Sequence, residues 1–128
     1  MAQLKSLNKG TAPKSVMPER IIQFGEGNFL RAFVDWIIWN MDQKTNFNGS
    51  VVVVQPIDRG MVDWLNGQDC LYHVNLQGRQ NGEAINSLER IDVISRALNP
   101  YSQNAAFMAL AEQPEIRFVI SNTTEAGI

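Results

Sequence analysis

A pair of glycines set between a short apolar run and a long one constrains this chain more than any other feature. Ile21-Ile22-Gln23-Phe24 stops at Gly25-Glu26-Gly27, and residues 28–42 follow without a Gly or Pro. The first run has the length and composition of a buried strand that ends in a turn. The second, rich in Leu, Ala, Trp, Ile and Met, runs past strand length and reads as a helix. Apolar residues surround most of it, which predicts a helix nearly enclosed by sheet and neighbouring elements. Asn46-Phe47-Asn48-Gly49 is a stop signal, and Val51-Val52-Val53-Val54 after it is the all-β-branched pattern of a parallel strand buried on both faces. Strand, glycine turn, helix and strand make a βαβ unit.

In such a unit the glycines have mechanical work. Gly25 can take the tight turn that leaves the strand, and Gly27, lacking a Cβ, lets a pyrophosphate approach the backbone. The phosphates then meet the free N–H groups and positive end of the helix, worth roughly 0.3–1 kcal/mol or somewhat more when partly buried. The match to the dinucleotide fingerprint is partial, because Leu30 stands where a third glycine serves close helix–strand packing. Its presence predicts a small shift of the helix. A plain strand-to-helix turn without ligand is the alternative.

Asp58, beyond the second strand, is the candidate for reading the cofactor's adenosine ribose. A carboxylate there accepts hydrogen bonds from both hydroxyls and repels a 2′-phosphate, favouring NAD over NADP. Arg59 beside it could instead hold that phosphate, and a solvated loop aspartate is the bland reading.

The rest of the chain extends the α/β pattern. Residues 1–19, polar and punctuated by Pro13 and Pro18, read as an arm; residues 20–128 read as one nucleotide-binding domain. Residues 71–76 alternate and residues 84–94 resume with mixed polarity, predicting an antiparallel hairpin that turns near Asn81-Gly82. Residues 104–113 read as a helix stopped by Pro114, and residues 116–120 as another buried strand. The expected whole is a Rossmann-like, doubly wound, mostly parallel sheet with an inserted hairpin. At 128 residues it is small for a complete dehydrogenase, and it reads as cut off where the next helix is due.

Other function classes find little support. A formal charge of −2 leaves no footprint for nucleic acid. The greasy stretch from Phe29 to Met41 is too short for a bilayer and carries Arg31 and Asp35. With one cysteine, Cys70, and no apolar segment at the amino terminus, a cytoplasmic protein in a reducing compartment is expected. Cys70 and His73 form half of a zinc-like spacing with no second pair, so no metal is expected. His73, alone on an alternating strand, reads as structural or solvated. Two rivals remain. One is an S-adenosylmethionine-dependent methyltransferase; the other is a nucleotide-sensing or interaction module with Trp36, Trp39 and Trp64 toward a partner or a second copy.

The run from Ile21 through Gly25-Glu26-Gly27-Asn28-Phe29-Leu30-Arg31-Ala32 to Trp36 resembles the start of the mannitol dehydrogenase family of long-chain polyol dehydrogenases. Three further segments carry the resemblance: Val51 to Ile57, Gln68-Asp69-Cys70-Leu71-Tyr72, and Arg117 to Gly127. The resemblance implies hydride transfer between NAD and a hexonate. Leu30 and Phe33 stand where mannitol- and mannonate-type relatives carry histidines, which points to the altronate branch. It also implies that Gly25, Gly27, Asn28 and Phe29 hold the pyrophosphate. Asn122, Thr123, Thr124 and Glu125 would meet the nicotinamide end, or simply cap a helix. Cys70 replaces a glycine of the family pattern. The family's catalytic Lys-x4-Asn-x2-His lies in a helical C-terminal domain and does not occur here, so no catalytic residue and no activity are expected of this chain alone.

Overall fold

The computed structural model describes residues 3–123. Four strands form one parallel sheet: β1 (Glu19–Phe24), β2 (Ser50–Val54), β5 (Ile94–Leu98) and β6 (Phe118–Ser121), in the spatial order β5-β2-β1-β6. The chain steps from β1 to β2 and on to β5, then returns to lay β6 on the other side of β1. β1 is therefore flanked by β2 and β6, with Phe24 opposite both Val54 and Ser121. The strand order reverses between β1 and β6. In an open parallel sheet, that reversal leaves a crevice at the carboxyl ends of the strands.

The valine run is central because both of its faces are covered. Val51 and Val53 pack with Ile38, Val62, Leu65, Tyr72 and Ile91; Val52 and Val54 pack on the other face with Leu98 and Leu110. All five residues of β2 are buried. On the first face lies a helical stretch beginning at residue 28: a π-helical turn, Leu30–Val34, leads into α1 (Asp35–Lys44). α2 (Val62–Gly67) lies on the same side. The other face holds α3 (Asn104–Ala109) and a 3-10 turn, Leu110–Glu112, with Phe107 edge-on to Phe24 at 6.1 Å.

β3 (Tyr72–Gln80) and β4 (Glu83–Ile91) form a separate antiparallel hairpin. Its two-residue turn is Asn81-Gly82, both at positive φ (54° and 83°), the conformation that matches the right-handed twist of the strands. The hairpin's base is buried through Tyr72, Val74 and Ile91, and its tip is exposed.

Several expectations are corrected. The long helix is not nearly enclosed: Phe29, Phe33, Ile37 and Met41 are exposed, and only Leu30, Arg31, Asp35 and Ile38 are buried. An apolar composition does not bury a helix that has sheet on one side only. The last strand starts at Phe118, two residues later than expected, and is not buried. Phe118 and Val119 are more than half exposed, because among the described residues β6 is an edge strand paired with β1 alone. The hairpin ends at Ile91, and Ile94 begins β5 in the main sheet, where the sequence reading ran the two together. α2 was not anticipated.

The arm lies along the amino ends of the strands. Ser50 bonds the carbonyls of Pro18 and Met17, Lys14 Nζ bonds the carbonyls of Asp69 and Ser95, and the Ser15 N–H bonds Asp92. β1 begins at Glu19, the last residue of the expected arm. Among the described residues, no helix is long and apolar enough to cross a membrane.

Candidate nucleotide site at the glycine turn

The turn after β1 lies at the carboxyl end of the sheet, beside the point where strand order reverses. Gly25 has φ +126°, outside the range of L side chains, and a Cβ there would come within 3.0 Å of Leu30 Cδ1. Its N–H bonds the Val54 carbonyl at 2.9 Å, pinning the turn to the end of β2. Gly27 is exposed, and a Cβ on it would meet nothing within 4 Å. Strand geometry thus requires the first glycine, while the space beside the second is open to a ligand. Arg31 N–H bonds the Gly27 carbonyl; the N–H groups of the first helical turn before it have no carbonyl a turn behind them. Free N–H groups at a helix amino terminus are what a phosphate requires.

Two buried polar groups hold this turn from beneath. Gln23, fully buried in β1, donates from Nε2 to the Gly25 carbonyl and to Asp35 Oδ2, both at 3.1 Å. Asp35 is also fully buried, and its Oδ1 accepts no hydrogen bond among the described residues. Burial pushes its carboxyl up to about 7, against the Gln23 hydrogen bond and the nearby Arg31 charge, which favour the ionised form.

Arg31 braces the turn from the side. Its Nε donates to the Glu26 carbonyl at 2.8 Å and its Nη2 to Asn28 Oδ1 at 2.7 Å. The guanidinium lies 5.4 Å from the ring centres of Trp64 and Tyr72, and the Tyr72 hydroxyl bonds the Arg31 carbonyl at 2.7 Å. Burial raises the Tyr72 hydroxyl's pKa, so it stays a donor. The turn is thereby tied to α1, α2 and the hairpin at once. Of the three tryptophans, Trp36 and Trp39 pack on the core, while Trp64 lies over Arg31 and is half exposed. Leu30, in the place of the third glycine, is buried and opens the π turn, where the Asp35 N–H reaches back five residues to the Leu30 carbonyl.

The other candidates are spread around the same end of the sheet. Asn28 and Phe29 are exposed at the start of the helix, Phe29 against Phe33 with ring centres 5.3 Å apart. Asp58 is exposed in the bend between β2 and α2. Asn122 and Thr123 are exposed and follow β6, whose Ser121 pairs with Phe24 just before Gly25; Thr124 and Glu125 lie outside the described residues. Cys70 is buried at φ +59°, the left-handed conformation for which glycine is the low-strain residue, and His73 is exposed. The sequence reading missed Glu26, Gln23, Arg31 and Asp35. The signal for three of them was a polar residue inside an apolar run. A cleft of about 440 Å³ lies between the arm and the amino ends of β2 and β5, at the opposite end of the sheet from the glycine turn.

The sequence profile of the mannitol dehydrogenase Rossmann domain matches residues 19–128. The altronate oxidoreductase of Phocaeicola vulgatus is 78% identical over 98% of this chain, which spans 26% of that protein. That of Bacillus subtilis is 53% identical over 87% of the chain and 23% of its own length. Among solved structures, Pseudomonas fluorescens mannitol 2-dehydrogenase, in a ternary complex with NAD and D-mannitol, superposes with a TM-score of 0.75. It is 26% identical, covering 94% of this chain and 27% of its own. The chain spans about a quarter of its relatives' length, and over that quarter it belongs to the mannitol dehydrogenase family as its Rossmann domain.

Proposed function

We propose that this chain binds NAD and is the cofactor-binding part of a cytoplasmic altronate oxidoreductase, which interconverts D-altronate and D-tagaturonate. The observation that carries the reading is the turn itself: Gly25 at φ +126°, open space at Gly27, and a helix amino terminus at the strand-order reversal. Gly25, Gly27, Asn28 and Phe29 would hold the pyrophosphate, with Asp58 on the adenosine side. The residues from Asn122 to Glu125 would stand at the nicotinamide end. Bound NAD supplies the hydride acceptor for the alcohol carbon. This chain's residues bind and orient it; no Lys-x4-Asn-x2-His set is present to take the alcohol proton. The division into an arm, 1–19, and a nucleotide-binding domain, 20–128, belongs to the same reading.

The test is a calorimetric titration of the chain with NAD, NADP and S-adenosylmethionine. Heat from NAD alone, or from NAD well before the others, is expected. Selective binding of S-adenosylmethionine, or no response to either dinucleotide, would overturn the proposal.

A further inference from the structure

Glu26 sits between the two glycines, and its side chain is not directed at solvent beyond the turn. It lies against Gly60 and Gln55: a Cβ on Gly60 would overlap Glu26 Oε1 and come within 2.7 Å of the Gln55 amide. Gln55 is the first residue after β2, its N–H bonded to the Leu98 carbonyl. The Glu26 carboxylate is thus held at the carboxyl end of the second strand of the βαβ unit. In dinucleotide-binding sheets an acidic group at that place accepts hydrogen bonds from the adenosine ribose. Asp58, the candidate read from the sequence, comes later than the simplest spacing expects and is exposed four residues beyond the end of β2.

A second observation points the same way. Glu26 Oε2 is enclosed and accepts no hydrogen bond among the described residues. An enclosed carboxylate oxygen without a donor is destabilising, and in folded proteins such groups are satisfied. Gln55 does not serve, because its Nε2 donates to the Ile57 carbonyl while its Oε1 accepts from the Val62 N–H. The Arg31 guanidinium bonds the Glu26 carbonyl and leaves the carboxylate alone. Vicinal hydroxyls bring two donors on adjacent carbons, matching a carboxylate; a 2′-phosphate replaces one of those donors with negative charge.

We infer that Glu26, seated over the bare backbone of Gly60, is the carboxylate that reads the adenosine ribose and selects NAD over NADP. This rests on the nucleotide reading above. The experiment is calorimetric determination of Kd for NAD and NADP with the chain, with Glu26→Gln and with Asp58→Asn. Glu26→Gln keeps side-chain volume and removes the charge. It is expected to weaken NAD about tenfold, the loss of one hydrogen bond to a charged group, and to lower the NAD preference by at least as much. Asp58→Asn is expected to change the preference less. Gly60→Ala, which displaces the carboxylate without altering charge, should lower the preference in the same direction. An unchanged preference in Glu26→Gln, or a larger loss in Asp58→Asn, overturns the inference while NAD binding by the unsubstituted chain keeps the nucleotide reading. Failure of the unsubstituted chain to bind either dinucleotide removes both.

Discussion

Replacing Asp35 with Asn should stabilise the fold at neutral and higher pH, by an amount that grows with pH. Asp35 is fully buried, has one donor in Gln23 Nε2, and has no hydrogen bond to Oδ1 among the described residues. Its pKa is raised from 3.8 to about 7, chiefly by burial. For an acid with a raised folded pKa, the native state holds the proton across the window in which the unfolded chain releases it. Stability therefore falls as pH rises from about 4 to about 7, and the full penalty is present above 7. Some three pH units at 1.36 kcal/mol each give a penalty of about 4 kcal/mol. Asn carries none of it, so the stability gap between variant and parent should widen by that order from pH 4 to pH 8. About 2 kcal/mol of the change falls between pH 5 and 7, because the folded carboxyl is itself half ionised at the upper end. Taking the difference between variant and parent cancels the contribution of every group the two share. Urea unfolding at pH 5, 6, 7 and 8, followed by the fluorescence of Trp36, Trp39 and Trp64, measures the gap. A gap that stays flat or narrows over this range would refute the account of Asp35 as a carboxylate buried at its own cost.

Two further outcomes follow from the same geometry. Gly25→Ala imposes an L side chain at φ +126° against Leu30, and should cost about 1–3 kcal/mol and weaken NAD binding together; a melting temperature and Kd equal to the parent's would refute the strained-turn argument. Cys70 is buried and its thiol is pushed up to about 11, chiefly by desolvation, so it should react with a thiol-exchange reagent at pH 8 far more slowly in the native chain than in urea. Prompt stoichiometric labelling of the native protein would count against that burial.

The strand–turn–helix–strand unit was legible in the sequence because its signals are local. The valine run, the glycine turn, the length of the apolar helix and the Asn81-Gly82 hairpin turn each need only a few adjacent residues. The functional turn was legible for the same reason: φ > 0 at Gly25 is a demand on one residue. What surrounds it was not. Gln23 and Asp35 read as polar interruptions of apolar runs, yet they meet under the turn because β1 and α1 are packed face to face. Glu26 read as an unremarked residue between two glycines. It becomes the nearest acidic side chain to Gly60 only because the bend after β2 folds back over the turn.

The sequence by itself determined the order of the elements, the turn conformations and which strands are apolar on both faces, since propensity and periodicity act over a few residues. The tertiary structure alone decided that β6 returns beside β1, opening the crevice there. It also decided that β6 lies exposed as an edge and that Arg31 sits between Trp64 and Tyr72. Those outcomes depend on which distant segments pair and pack, and the energy of such contacts is not written in any window of neighbouring residues.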